Sequence, residues 1–417
     1  MPKKRLQALS QWAHENLTQC ILPFWTSDFL LDHENGGFYG RITRDMKRDN
    51  NEPRSLVLTG RMLYAFSMAA KVLKDETCLA RGEEAFRQLT DRFYDSEYGG
   101  AYQLVNAQGS VVNDQKPTYS EAFLLLGCAS WYDATGNQQA LEIARQTFCL
   151  MEEKAKFAPG CYLANLNRYL EPAGGTGFEG KAQAPDFPKD TVIFPHHLCQ
   201  AYVMLYKATG DADVGKALQE MVSYVCTSLY DPVHRCFCTM TDRDGRRVGS
   251  RQSFGHDCEI SYLLQNASLL LQDPALSRQV ELVCAPVLEQ VLEHDYDSWG
   301  SLINGGDLIT GQQEKSHVWW AQAESVTAML YGYELTGDER YLTACERQAS
   351  YIEAYFVDRE NGDWYNNIVV DEAGWRIVDG MHGFDKLNGG KCPFHNSQMC
   401  FEVMERTARL LRKEEAH

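Results

Sequence analysis

The 417-residue chain is 44% hydrophobic and carries 18 Phe, 21 Tyr and 8 Trp, which excludes a disordered polypeptide and supplies apolar surface for a large core. Its formal net charge of -17, from 40 basic against 57 acidic residues, opposes nucleic acid and anionic membrane surfaces and favours a neutral ligand. The basic start, Met1 to Arg5, runs into Gln7, Gln11, His14 and Glu15 with no apolar core, so no signal peptide is read there, and no stretch has the length of a membrane span.

Periodicity predicts helices in every part of the chain and little alternating strand. The first runs from Leu6 to Thr18. Asp32 to Gly40 follows as a glycine turn flanked by aromatics, read as a short hairpin. Leu56 to Val72 is helical, then a polar break at Lys74-Asp75-Glu76, then a helix from Glu83 to Phe93. Glu97 to Tyr102 repeats the hairpin, ahead of helices at Ser120 to Ala134 and Gln139 to Glu152. Pro159 to Tyr162 is a weaker copy, and the next helix pair breaks at Thr209-Gly210-Asp211. Ile260 to Leu271 is a helix that Ser253 or Gly255 opens. The last full copy is Trp320 to Tyr333, Thr336-Gly337-Asp338 and Tyr341 to Phe356, and a final helix runs from about His395 to Leu411.

Two signals therefore recur together, a Thr-Gly-Asx turn between paired helices and a glycine–aromatic hairpin after each pair. Hairpin glycines at Gly36, Gly99, Gly300 and Gly362 mark a period of about 60 residues, and about twelve helices fall into six pairs. One pair cannot bury its own apolar face, so successive pairs must stack. The expected fold is all-α, a closed (α/α)6 barrel of six helical hairpins with short β-hairpin connectors, formed by one domain over residues 1–417. The first helix completes the last pair. Glu171 to Lys189, rich in Gly and Pro, is a candidate lid over the mouth.

Fourteen cysteines lie scattered through helical pattern, which reads as core filling in a reducing compartment, and the cytoplasm is the expected location. His234 with Cys236-Phe237-Cys238 matches no strong zinc spacing, so no zinc site is expected there.

The chemistry concentrates at helix starts. In Ser253-Phe254-Gly255-His256-Asp257-Cys258-Glu259, His256 and Glu259 stand one turn apart. His395, in Lys391-Cys392-Pro393-Phe394-His395-Asn396, begins another inner helix. Two imidazoles in different environments suit an epimerase or isomerase, one removing a proton while the other delivers one. A glycosidase instead wants two carboxylates across the scissile bond. Trp320 and Glu324 share a helical face, as an indole that stacks on a sugar ring and a carboxylate that receives its hydroxyls. Arg61 opens an apolar helix, where it either pairs with Asp45 or Glu52 or holds an enolate oxygen. Tyr119 and His197 are further candidates at helix starts.

These motifs resemble the N-acylglucosamine 2-epimerase superfamily, in its cellobiose and mannose 2-epimerase branch. The likeness rests on Phe254-Gly255-His256-Asp257-x-Glu259, on Lys315-x-x-x-Trp319-Trp320-x-Gln322-Ala323-Glu324, on Lys391 to Asn396, and on Arg61. It implies an (α/α)6 barrel and a cofactor-free, metal-independent exchange of C2 epimers at the reducing end of a sugar. It further implies that His256 and His395 are the acid–base pair, that Arg61 steadies the oxyanion, and that Glu259 orients its histidine. Tyr119, His197, Trp320 and Glu324 would contact substrate. Two positions depart from the cellobiose pattern: Ile193 stands for Asn, and Gly390 for the Trp that stacks on a distal sugar. On those departures D-mannose and D-glucose are the expected substrates. Cellobiose, an N-acylglucosamine, aldose–ketose isomerisation and a non-catalytic sugar-binding barrel are the alternatives. A monomer or weak homodimer is expected.

Overall fold

In a computed structural model, which describes residues 2–176, 186–187, 192–193, 196–314, 316–371, 374–376 and 384–415, two kinds of helix alternate along the chain. The first kind is buried nearly all round over its opening turns: α3 (Leu56–Leu73), α5 (Thr118–Thr135), α7 (His196–Thr209), α9 (Phe254–Leu271), α11 (Trp319–Thr336) and α13 (Phe394–Glu415). The second buries one face: α1 (Pro2–Glu15), α4 (Glu76–Gln88), α6 (Gln138–Leu150), α8 (Ala212–Tyr224), α10 (Pro274–His294) and α12 (Glu339–Tyr355). A one-turn helix, α2 (Leu22–Trp25), completes the series.

The buried helices touch in the order α3, α5, α7, α9, α11, α13 and back to α3, which closes a ring. Each carries its outer mate, and α1 packs on α13, so the first helix does complete the last pair. This is the expected (α/α)6 barrel, all-α with small β connectors. Apolar residues on every side of the inner helices reflect their position between two layers. Leu56–Leu73 is long and apolar enough to cross a membrane by length and composition, but as α3 it is mostly buried inside the ring.

The turns between mates have a common build. Gly136, Gly210 and Gly337 take φ of 76°, 66° and 71°, and the following Asn137, Asp211 and Asp338 cap the next helix through their side chains. Two further turns are built the same way without glycine: Lys74 at φ 59° precedes the cap Asp75, and Gln272 at φ 54° precedes Asp273. The expected break at Lys74-Asp75-Glu76 is thus a single turn, and the helix expected from Glu83 already begins at Glu76. Outer helices α4, α6 and α8 each end in a widened π turn, the first of which carries the chain to Phe93.

The hairpins are also one device repeated. Asp32, Asp95, Asp231, Asp297 and Asp358 each accept two backbone N–H groups of their own turn. The other carboxylate oxygen faces a basic side chain: Arg54 at 2.5 Å, Lys116 at 3.0 Å, Arg247 at 3.7 Å, His317 at 2.8 Å and Lys386 at 2.9 Å, respectively. Three hairpins are further tied to the fourth residue of an inner helix. Ala101 N–H donates to Glu121 of α5, Phe237 N–H to Asp257 of α9, and Leu302 N–H to Gln322 of α11, at 2.7–3.0 Å.

The weaker copy at Pro159 to Tyr162 is a hairpin of Lys156–Ala158 and Cys161–Leu163. It is extended by Val192–Ile193 and Met240–Thr241 into a four-stranded sheet. At the rim, Ser316–Val318 pairs with Asn367–Asp371, and that strand pairs with Gly374–Arg376. Residues 177–185 and 188–189 of the candidate lid, and Lys315, lie outside the described residues.

Candidate active site

Inner helices that begin at one mouth of the ring aim their first turns at a shared space. Arg61 of α3, Tyr119 of α5, His196 and His197 of α7, His256 of α9, Trp319 and Trp320 of α11, and His395 of α13 line a cavity of about 460 Å³. Gly390 and Lys391, from the segment ahead of α13, and Asn366 and Asn367 of the rim complete much of its wall.

The sequence around His256 serves to place one ring. Ser253 stands at the N-cap of α9, yet its hydroxyl meets His256 Nδ1 at 2.8 Å instead of a backbone N–H. Gly255 is required because Trp320 lies against it: a Cβ there would stand 2.6 Å from the indole. Asp257 points the other way, accepting from Phe237 N–H at 2.7 Å and from Gln252 Nε2 at 2.6 Å, which anchors the helix start.

His395 is held by different means. Lys391 pairs with Asp363, and its Nζ stands 4.3 Å from the Trp319 ring centroid. Asn396 Nδ2 donates to the same Asp363 at 2.7 Å, so Lys391 and Asn396 moor the helix start to the Gly362 hairpin. Beneath the ring, Nδ1 meets Glu324 Oε1 at 2.5 Å, and Tyr262 Oη donates to Glu324 Oε2 at 2.6 Å. Gln398 donates to Tyr262, and Gln200 Nε2 to Gln398 Oε1 at 2.5 Å, extending the buried network to α7.

Both rings border the same indole, the Trp320 centroid lying 4.9 Å from that of His256 and 5.5 Å from that of His395. Burial pushes the His256 imidazole down to about 4, with the charges of Arg251 and Arg61 adding to it. Burial likewise holds His395 and His197 well below the usual imidazole range, and neighbouring cations and histidines press the same way. Glu324 is driven well above the carboxylate range by burial and then by Glu259, so it is a neutral partner to a neutral His395. Burial raises Glu259 to about 8 against the lowering effect of Arg61.

The family model described as N-acylglucosamine 2-epimerase (GlcNAc 2-epimerase) matches residues 37–173 and 197–380. The chain belongs to this family. It is an enzyme of the isomerase class. The cellobiose 2-epimerase of Ruminococcus albus is 29% identical over 397 residues, covering 94% of this chain and 97% of its own. The structure of cellobiose 2-epimerase from Bacillus thermoamylovorans B4167 superposes with a TM-score of 0.84 at 27% identity, covering 96% of this chain and 100% of its own. The D-mannose isomerase of Thermobifida fusca is 22% identical over 306 residues, 69% of this chain and 71% of its own. The expectation of a mannose enzyme is therefore not favoured: cellobiose epimerases are more similar over more of the chain.

Among the residues expected in the site, Arg61, Tyr119, His197, Trp320, His256 and His395 line the cavity. Arg61 turns into the cavity, where it meets Tyr119 and the segment ahead of α13. Its Nη2 donates to Tyr119 Oη at 2.6 Å and its Nη1 to the Gly390 carbonyl at 3.4 Å. Glu324 departs from its expected role, since at 1% exposure it lies behind His395 and not on the cavity wall. Glu259 also differs. It is fully buried, 3.8 Å from His196, His197 and His395, while His256 takes its Nδ1 partner from Ser253.

Sequence reasoning missed His196. Its signal was the His196-His197 pair itself: at the first residues of a helix that opens on a funnel, neighbours about 100° apart both reach the opening. It also missed Tyr262 and Gln398, which sit inside apolar helical pattern with nothing in their spacing to mark them. Trp299, half exposed, and Trp364, buried with its Nε1 on Asn16, do not line the cavity.

Proposed function

We propose that the protein is a cellobiose-type 2-epimerase, inverting C2 of the reducing-end glucose unit of a disaccharide through a cis-enediolate. The observation that carries this reading is the placement of His256 and His395 against one indole, two neutral imidazoles bordering a single sugar-sized slot. Proton removal from C2 needs a neutral base and a stabilised oxyanion. His256, with Nδ1 on Ser253, keeps Nε2 for the C2 proton. The His395–Glu324 contact works as a relay: His395 gives the Nε2 proton to the opposite face while Glu324 returns a proton to Nδ1. In the reverse direction the two imidazoles exchange roles. Arg61, held by Tyr119, faces the developing enediolate oxygen with fixed donors. Trp320 supports the apolar face of the ring.

Similarity to cellobiose 2-epimerases over nearly the whole chain supports the disaccharide. So does a cavity that extends past the histidines to Thr239, Met240, Val248 and Arg251, leaving room for a second ring. A monosaccharide remains the second reading, favoured by Gly390, which brings only backbone to the wall where a stacking residue is expected. One preparation assayed on cellobiose, mannose, glucose and N-acetylmannosamine separates the two. The disaccharide reading requires the highest kcat/KM on cellobiose, and a preference for mannose overturns it. In deuterated water the new epimer must carry deuterium at C2. Ketose labelled at C1 as the main product would mark an aldose–ketose isomerase instead.

A further inference from the structure

We propose that His196, His256 and Glu259 form a binding site for a divalent transition-metal ion of the zinc or cobalt class. One donor atom from each of the three lies within 4.8 Å of the others. Two imidazoles and a carboxylate are the ligand set with which zinc is held in sites that keep a fourth position open, and they suit cobalt and nickel as well. Here the open position faces the cavity, which both histidines line.

Three features set this group apart from a chance cluster. Glu259 is fully buried and neither of its oxygens has a hydrogen-bond partner among the described residues, so an ion supplies what the protein around it does not. His196 brings Nε2 to 3.8 Å from Glu259 Oε2, and a sub-ångström closure of these side chains gives metal–ligand distances. His256 has Nδ1 on Ser253 Oγ at 2.8 Å, the kind of bond that fixes the tautomer of a ligating imidazole and leaves Nε2 to the metal. The neighbouring trio of Glu259, Glu324 and His395 is a poorer host, because Glu324 already holds His395 Nδ1 and accepts from Tyr262. Arg61 acts electrostatically on Glu259 and opposes a cation there, which favours ions that bind nitrogen strongly over calcium or magnesium.

Binding itself does not depend on the catalytic reading. Its consequence does: an ion on His256 withholds that imidazole from proton transfer, so turnover falls as the site fills.

The test titrates zinc sulfate, and separately cobalt chloride, into the full-length protein by calorimetry and visible absorption. One equivalent is expected to bind. The cobalt complex should show the d–d bands of four or five nitrogen and oxygen ligands, without a thiolate charge-transfer band. His196→Leu and Glu259→Gln should each weaken binding by more than the roughly 10–100-fold seen for residues that only support a ligand. Circular dichroism confirms that each variant is folded, and the wild-type cobalt spectrum needs no variant. Absence of stoichiometric binding overturns the proposal. So does a thiolate band, which would point to Cys236 and Cys238, or unchanged affinity in a folded His196→Leu protein.

Discussion

At the scale of single residues, the site depends on how few charges its groups are allowed to carry. An imidazole at about 4 and a carboxyl at about 8 are both neutral at pH 7, so the proton inventory of His256 and Glu259 is set by burial more than by pairing. His256→Ala and His395→Ala are each expected to lower kcat by about 10²–10⁴-fold while the protein stays folded, checked by turnover and circular dichroism. Wild-type turnover in a folded His395→Ala protein would remove that residue from the mechanism. Glu324→Gln keeps a hydrogen-bonding group beneath His395 but cannot pass a proton. It should lower kcat by about 10²-fold with KM little changed. A rise in KM at constant kcat would instead return Glu324 to the substrate-binding role that its spacing from Trp320 suggested. The placement of Glu324 beneath His395 differs from that expectation for a definable reason. A spacing of four shows that two residues share a face, but a helix in this ring meets neighbours on both sides of that face, and the second neighbour was His395.

At the scale of elements, the recurring turns explain both what the chain revealed and what it concealed. Thr-Gly-Asx was visible in three turns because glycine marks φ above zero, whereas Lys74 and Gln272 adopt the same conformation without that mark. Helix pairs were legible from periodicity and the short strands were not, since most are two or three residues long and have no room to alternate. The hidden turns carry a cost that can be measured. Replacing Lys74 or Gln272 with Gly relieves a left-handed conformation worth about 1–2 kcal/mol, less glycine's entropic cost of about 0.5–1 kcal/mol. A net gain between zero and about 1.5 kcal/mol in chemical denaturation is expected for each. Gly99, at φ 77°, predicts the opposite: Gly99→Val should lower stability by about 1–2 kcal/mol and leave kcat nearly unchanged. Lost turnover at unchanged stability would mean that this hairpin belongs to the active mouth.

For the whole molecule, the buried titrating groups make stability depend on pH in a signed way. Glu121 and Asp295 are raised by burial to about 7, and Glu259 to about 8, so the folded state holds protons that the unfolded chain releases near pH 4. Stability therefore falls as pH rises through that interval. His256, lowered to about 4, works oppositely between about 4 and 6.5, where the unfolded chain binds the extra proton. Above about 6.5 only the carboxyl contribution remains, so a decline between pH 6.5 and 8 is expected in denaturation midpoints. Glu121→Gln should flatten it. Gln322 already fills the matching place in α11 and accepts the matching N–H, so the amide is tolerated there. A pH profile identical to wild type would show that Glu121 is ionised in the folded protein.

Pairing of α1 with α13 also has a kinetic side. Of all the helix pairs, this one joins the stretches of chain farthest apart in sequence, so it carries the greatest loop-closure entropy and contributes most to contact order. During synthesis α1 leaves the ribosome with Leu6, Leu9 and Ala13 facing a neighbour that will not exist until the other ring helices have been made. Until α13 emerges, that apolar stripe stays open to chaperones or to another chain. Docking of α1 onto α13 therefore has to wait for a helix made about 380 residues later.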